Sequence, residues 1–198
     1  MTKNAILFVT LCGGLLALAR CGHVNRTITS VKPDYQKGLQ TTRALASLPR
    51  PYAFCRGDFI DKRAETSLGV YRRELATNIV ETRDDLQGVL FGGLEALVMG
   101  AGQRWTDKAS AELRLDVRLL DTMAEIAADF GSHYSTAVQI QLDVVATKTQ
   151  RLVYSGTYKG SAVHGDSFDA SFDDSFVRCI AAVGNDPYLV DAVRKAVD

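Results

Sequence analysis

Cys21 is the side chain with the clearest chemistry open to it. It closes the tetrapeptide Leu18-Ala19-Arg20-Cys21 at the end of an apolar run from Ala5 to Ala19, behind a short start carrying Lys3. A Leu three positions before a Cys outlines a bacterial lipobox, whose cysteine receives a lipid. Arg20 departs from that outline, because the position normally holds a small residue. Ala17-Leu18-Ala19 offers a second outcome, ordinary signal cleavage before Arg20, and an uncleaved anchor is a third. The run is short for a membrane span, and Gly13-Gly14 interrupt it. All three outcomes imply export.

The other reactive side chains are scattered. His23, His133 and His164 lie far apart, with no HExxH or closely spaced Cys/His set, so the spacing predicts no metal site. Ser132-His133 and His164-Gly165-Asp166 hold triad residue types without a nucleophile elbow. Gly100-Ala101-Gly102 closes a helix instead of opening one after a strand, so it is no phosphate loop. With Cys12 in the signal and Cys21 as the lipid site, Cys55 and Cys179 remain. An oxidising compartment would let those two pair; buried thiols are the alternative. Asp58, Asp61 and Arg63 form the densest polar cluster, read either as turn braces or as a recognition edge. Asp166, Asp169, Asp173 and Asp174 line the start of a helix, where the dipole favours a solvated acidic face. No cofactor is called for, and the chain reads as non-enzymatic.

Composition sets the outer bounds. The chain has 198 residues with Lys plus Arg and Asp plus Glu both at 23, giving zero net charge. That balance, without a dense basic cluster, gives no electrostatic reason to expect nucleic acid. The division expected is a signal peptide over 1–20, a tether over 21–50 rich in turn residues in which Thr27–Val31 could add one short strand, and one domain over 51–198.

Within that domain, Tyr52–Ile60, Ser67–Arg72 and Glu74–Val80 read as strands. Thr82-Arg83-Asp84-Asp85 offers capping oxygens to a helix whose Leu86, Leu90, Leu94 and Leu97 share a face. Leu113, Leu115, Val117 and Leu119 alternate with polar residues, as do Val138, Ile140, Leu142 and Val144. Leu152, Tyr154 and Tyr158 follow a turn at 147–150, which together predicts an antiparallel meander. Asp129 to His133 would form the longer hairpin tip. Phe168, Phe172, Phe176 and Ile180 recur every four residues as the core stripe of a helix, and Asp186-Pro187 opens a last one. The fold class is therefore α+β, an antiparallel-rich sheet with two or three helices packed on one face.

The order Asp58-Phe59-Ile60-Asp61-Lys62-Arg63, Leu68-Gly69, Arg83-Asp84 before an apolar helix, and the Gly102 exit resembles the YajG-type envelope lipoproteins over Tyr52–Asp198. The resemblance implies that α+β domain and an address at the inner face of the outer membrane, held by an N-terminal acyl (palmitate-type) anchor. Gly22, lacking the acidic residue associated with inner-membrane retention, agrees with that address. It carries over no catalytic residues. The expected role is binding or scaffolding, with an envelope protein or cell-wall component as partner. The alternative is an auxiliary lipoprotein subunit of an envelope ABC-type lipid transport system.

Overall fold

The computed structural model describes residues 24–40, 42, 44–73, 76–127 and 133–197. Cys21 and residues 129–132 of the expected Asp129–His133 hairpin tip lie outside them. Among the described residues there are two sheets. Strands β1 (Val24–Thr29), β3 (Gly69–Arg73) and β4 (Ala76–Thr82) form a three-stranded sheet in the order β1-β4-β3. Strands β2 (Ala53–Asp61), β5 (Arg104–Trp105), β6 (Leu113–Ala127), β7 (His133–Ala146) and β8 (Arg151–His164) form the larger sheet, ordered β5-β2-β6-β7-β8. The β6-β7-β8 meander is antiparallel as expected, and each strand runs several residues past its alternating stretch. β2 pairs with β6 in parallel, and β1 with β4 likewise.

Three helices cover one face of the larger sheet. They are α2 (Leu86–Gly100), α3 (Phe168–Gly184) and α4 (Pro187–Val197), after a single turn, α1 (Tyr35–Gly38). Phe168, Phe172, Phe176 and Ile180 are all buried against Leu113, Leu119, Ile140 and Leu142 in one core. Gly102 ends the α2 exit with φ of 75°, the left-handed conformation that favours glycine after a helix. The domain is α+β, with its helices on one face of a mostly antiparallel sheet.

The expected tether is a correction. From Val24 onward it belongs to the domain: β1 joins β4, and Val31, Tyr35, Leu39, Leu45 and Leu48 are buried in the common core. These side chains fill gaps between α2, α3 and the loops one at a time, so they show neither helical nor strand periodicity.

Helix α4 is fixed by a carboxylate shared between two elements. Asp186 Oδ2 accepts the Tyr154 and Tyr158 hydroxyls at 2.5 and 2.7 Å, while Oδ1 accepts the Tyr188 and Leu189 amides at the start of α4. Burial pushes the Tyr158 phenol far above the usual tyrosine range, and the hydrogen bonds to Tyr154 and Asp186 add to it. Burial does the same to Tyr35, whose hydroxyl has no hydrogen-bond partner among the described residues. Folded Tyr35 and Tyr158 thus stay neutral while unfolded tyrosines ionise near about pH 10. The unfolded state then binds fewer protons, so stability must fall as pH rises past that point. The expected slope is roughly 1.4 kcal/mol per pH unit for each of the two. Tyrosinate absorbance followed against denaturant midpoint checks this; both phenols ionising in the folded protein near pH 10 would contradict it.

Candidate functional site

The cluster Asp58, Asp61 and Arg63 is split by the fold. β2 ends at Asp61, and the chain turns so that Arg63 reaches back to it. Arg63 Nε and Nη2 lie 3.0 and 2.7 Å from the two Asp61 oxygens, and Nη1 donates to Ser67 O and Thr122 Oγ1. The Arg63 side chain is only 6% exposed. Hydrogen bonding from Arg63 holds the Asp61 carboxyl below the usual carboxylate range. This pair clamps the β2–β3 loop onto β6. It borders a shallow cavity of about 240 Å³ with Glu65, Val70 and Asp121.

Asp58 sits apart, at an irregularity in the β2–β6 ladder between Arg56 and Phe59. Its amide donates to Asp116 Oδ1 at 2.9 Å, and its own side chain is exposed. Asp58 therefore points toward the uncovered face of the larger sheet, which carries a charge-balanced network. Arg114 grips Asp116 through two bonds of 2.8 Å, Arg118 reaches Asp143 at 2.6 Å, and Asp143 also accepts from Gln141 and Ser155. The bidentate Asp116 bond raises the Arg114 pKa. Pairing of this kind keeps an open sheet face wet without leaving a charge unmatched.

Of the two outcomes open to Cys55 and Cys179, the structure has the buried thiols and not the disulfide: both residues are free and buried. Phe54 belongs to the helix-side core, so Cys55, the next residue of β2, faces the other side of the sheet beside Arg114. Cys179 lies in α3 on the helix side, with Sγ 3.6 Å from Tyr158 O. The sheet separates them. Burial pushes the Cys179 thiol up to about 12 and raises Cys55 as well, so neither is a reactive thiolate.

The acidic helix start has a role that its pattern did not reveal. Asp169 accepts from the Thr29 hydroxyl and from the Ser30 amide at 3.2 Å, and Asp173 accepts the Lys32 amide at 2.7 Å. Asp84, expected as a helix cap, instead takes the Val31 amide at 2.7 Å, leaving Asp85 at the cap position without a side-chain bond. Three successive amides are thus held by carboxylates from two other elements. The Val31 bond lowers the Asp84 pKa; burial raises that of Asp173, with Asp169, Asp174 and Asp84 close by. His164 contacts Asp174 at 2.8 Å, and His133 is exposed at the start of β7.

No group of three or more His, Cys, Asp or Glu side chains among the described residues is placed to hold a metal ion. A cleft of about 400 Å³ beside α1 and α2 is lined by Tyr35, Gln36, Leu39, Thr42, Leu97 and Met99. None of its lining groups is a carboxylate, imidazole or thiol. Among the described residues, no helix is long and apolar enough to cross a membrane.

No family model matches the sequence, and no curated protein matches it. Solved structures do. Protein XCC0632 from Xanthomonas campestris, of the DUF330 family, superposes with a TM-score of 0.50 at 9% identity, covering 87% of this chain and 97% of that one. The hypothetical protein CT253 from Chlamydia trachomatis gives 0.43 at 11% identity, over 68% of this chain and 96% of that one. The lipoprotein GNA1162 from Neisseria meningitidis gives 0.36 at 9%, over 74% and 95%. The first of these shares the α+β fold. The likeness is thus to remote bacterial structures and not to YajG-type proteins in particular.

Proposed function

We propose that this protein is a non-enzymatic cell-envelope lipoprotein, acylated at Cys21, held at the outer membrane and facing the periplasm. Its role is to bind or scaffold an envelope protein or cell-wall component. The observation carrying this reading is the position of Leu18-Ala19-Arg20-Cys21 at the end of an export-type apolar run, three residues before the start of β1 at Val24. The absence of converging nucleophile, base and acid among the described side chains favours binding over catalysis. The charge-paired open sheet face, with Asp58 beside it, is a polar surface available for contact.

The test is the intact mass of the mature protein from membrane and soluble fractions, joined to crosslinking in intact cells. An acylated N-terminal Cys21 in the membrane fraction is the expected result. An unmodified chain beginning at Arg20 in the soluble fraction would overturn the lipoprotein reading. Crosslinks to transporter subunits would favour the auxiliary-subunit role; crosslinks to wall material alone would count against it.

A further inference from the structure

The correction to the tether changes where an anchored Cys21 would put the domain. Only Gly22 and His23 separate that cysteine from β1. Three residues span at most about 10 Å. Nor can β1 swing freely on that short connection. It is laddered to β4 along its whole length, and the residues after it are bonded to Asp84, Asp169 and Asp173. A lipid on Cys21 would therefore hold this particular part of the domain at the bilayer.

The part in question has an apolar outer face. Arg26 and Val70 both pair with Ile79, so the three share one side of the sheet, and Val24 and Ile28 flank Arg26 on that side. Val24, Ile28 and Val70 are 58%, 52% and 44% exposed. Arg26 is paired with Glu81 at 3.1 Å on this same side, which offsets the repulsion of that carboxylate from a phospholipid surface; Glu65 and Asp121 lie beside Val70 at the margin of the face. The opposite side holds Val80 and Asn78, both buried against the body of the domain.

We propose that this outer face, built by Val24, Ile28, Val70 and Ile79 around the Arg26–Glu81 pair, rests on the phospholipid surface that anchors Cys21. The inference builds on the lipoprotein reading and adds a fixed orientation to it. The small sheet lies against the membrane, and the far end of the larger sheet points into the periplasm. Gly69 of β3 lies beside Ala124, so the small sheet is at the hairpin-tip end of β6 and β7. The 147–150 turn is ten ladder positions further along β7, roughly 30 Å away.

The experiment uses the full-length protein purified from membranes and placed in phosphatidylethanolamine–phosphatidylglycerol vesicles. An environment-sensitive dye is attached in turn to Ile28→Cys, Val70→Cys and the control Lys148→Cys. Cys55 and Cys179 are buried and do not compete for the label. The expected result is a blue-shifted dye at 28 and 70, quenched several-fold more strongly by lipid-borne quencher than the dye at 148. Intact mass is read on the same samples. Acylated Cys21 with all three dyes equally wet and unquenched would overturn the docking while leaving the lipoprotein reading intact. Shielding at 28 and 70 without lipid quenching would assign the face to a second copy of the chain, again overturning it. An unacylated Cys21 would remove the lipoprotein reading first and the docking with it.

Discussion

Replacing Gly160 with alanine is expected to cost about 3 kcal/mol of folding stability, the upper range for overpacking, and replacing it with valine to prevent folding. A Cβ at this position would sit 2.0 Å from the Ser175 carbonyl oxygen and 2.4 Å from the Cys179 amide nitrogen. Both obstacles are backbone, which cannot rotate away as a side-chain tip can. The close approach exists because α3 presents a second stripe beside its phenylalanines. Ser171, Ser175 and Cys179, four residues apart, lie flat on β7 and β8. Thr136 Oγ1 lies 3.0 and 2.7 Å from the Ser171 and Ser175 hydroxyls, and those hydroxyls donate to the carbonyls of Tyr134, Ala162 and Thr136. All three hydroxyl residues are fully buried. The matched control is Gly92→Ala on the exposed side of α2, where a Cβ meets nothing within 4 Å. That change should gain about 0.5–1 kcal/mol, the usual difference between glycine and alanine in a helix. Urea unfolding with an unchanged slope would report both shifts. A neutral Gly160→Ala variant would mean that α3 is not seated this closely.

The same helix shows what a single sequence can and cannot reveal. The phenylalanine stripe was legible because apolar side chains at helical spacing have few other uses. The alternating residues of β6 and β7 were legible for the corresponding reason in a one-sided sheet. Ser171 and Ser175 were not, since buried and solvated hydroxyls look alike until their carbonyl partners are known. Pairing across long separations was equally hidden: nothing local tells Val24–Thr29 to lie parallel to Ala76–Thr82. Of the candidate site, Asp61 and Arg63 were correctly placed together, and their proximity in sequence explains their pairing. Burial of the Arg63 side chain makes the pair a clamp, while Asp61 stays exposed and Asp58 faces outward on its own. The choice between a Cys55–Cys179 disulfide and two buried thiols stayed open in the sequence because counting cysteines says nothing about which side of a sheet each one faces.

Removal of the Asp84 carboxylate should have a second large and more local effect. Asp84→Ala leaves the Val31 amide without its acceptor beside a buried side chain, and takes a partner from Ser30 and Thr82 as well. The expected cost is about 2 kcal/mol, within the range for an orphaned buried donor. Hydrogen exchange should show that cost concentrated in residues 24–32, because Asp169 and Asp173 alone hold only the neighbouring amides. Asp84→Asn, which keeps an acceptor oxygen, should retain much of the protection. Acid supplies a reversible version of the same experiment. The folded Asp84 pKa is lowered, so its contribution is complete above the ordinary aspartate value of about 3.9 and is lost as pH falls through the lowered value. Asp173 has the opposite sign. Its raised pKa means that it protonates first, and as a neutral acid it still offers an oxygen to the Lys32 amide. The segment should therefore survive protonation of Asp173 and loosen when Asp84 follows. Following the Val31 amide resonance with pH separates the two. A midpoint below the ordinary aspartate value assigns the hold to Asp84; one above it transfers the hold to Asp173. The outcome also bears on membrane orientation, because a loosened β1 would leave a lipid on Cys21 free to let the domain turn.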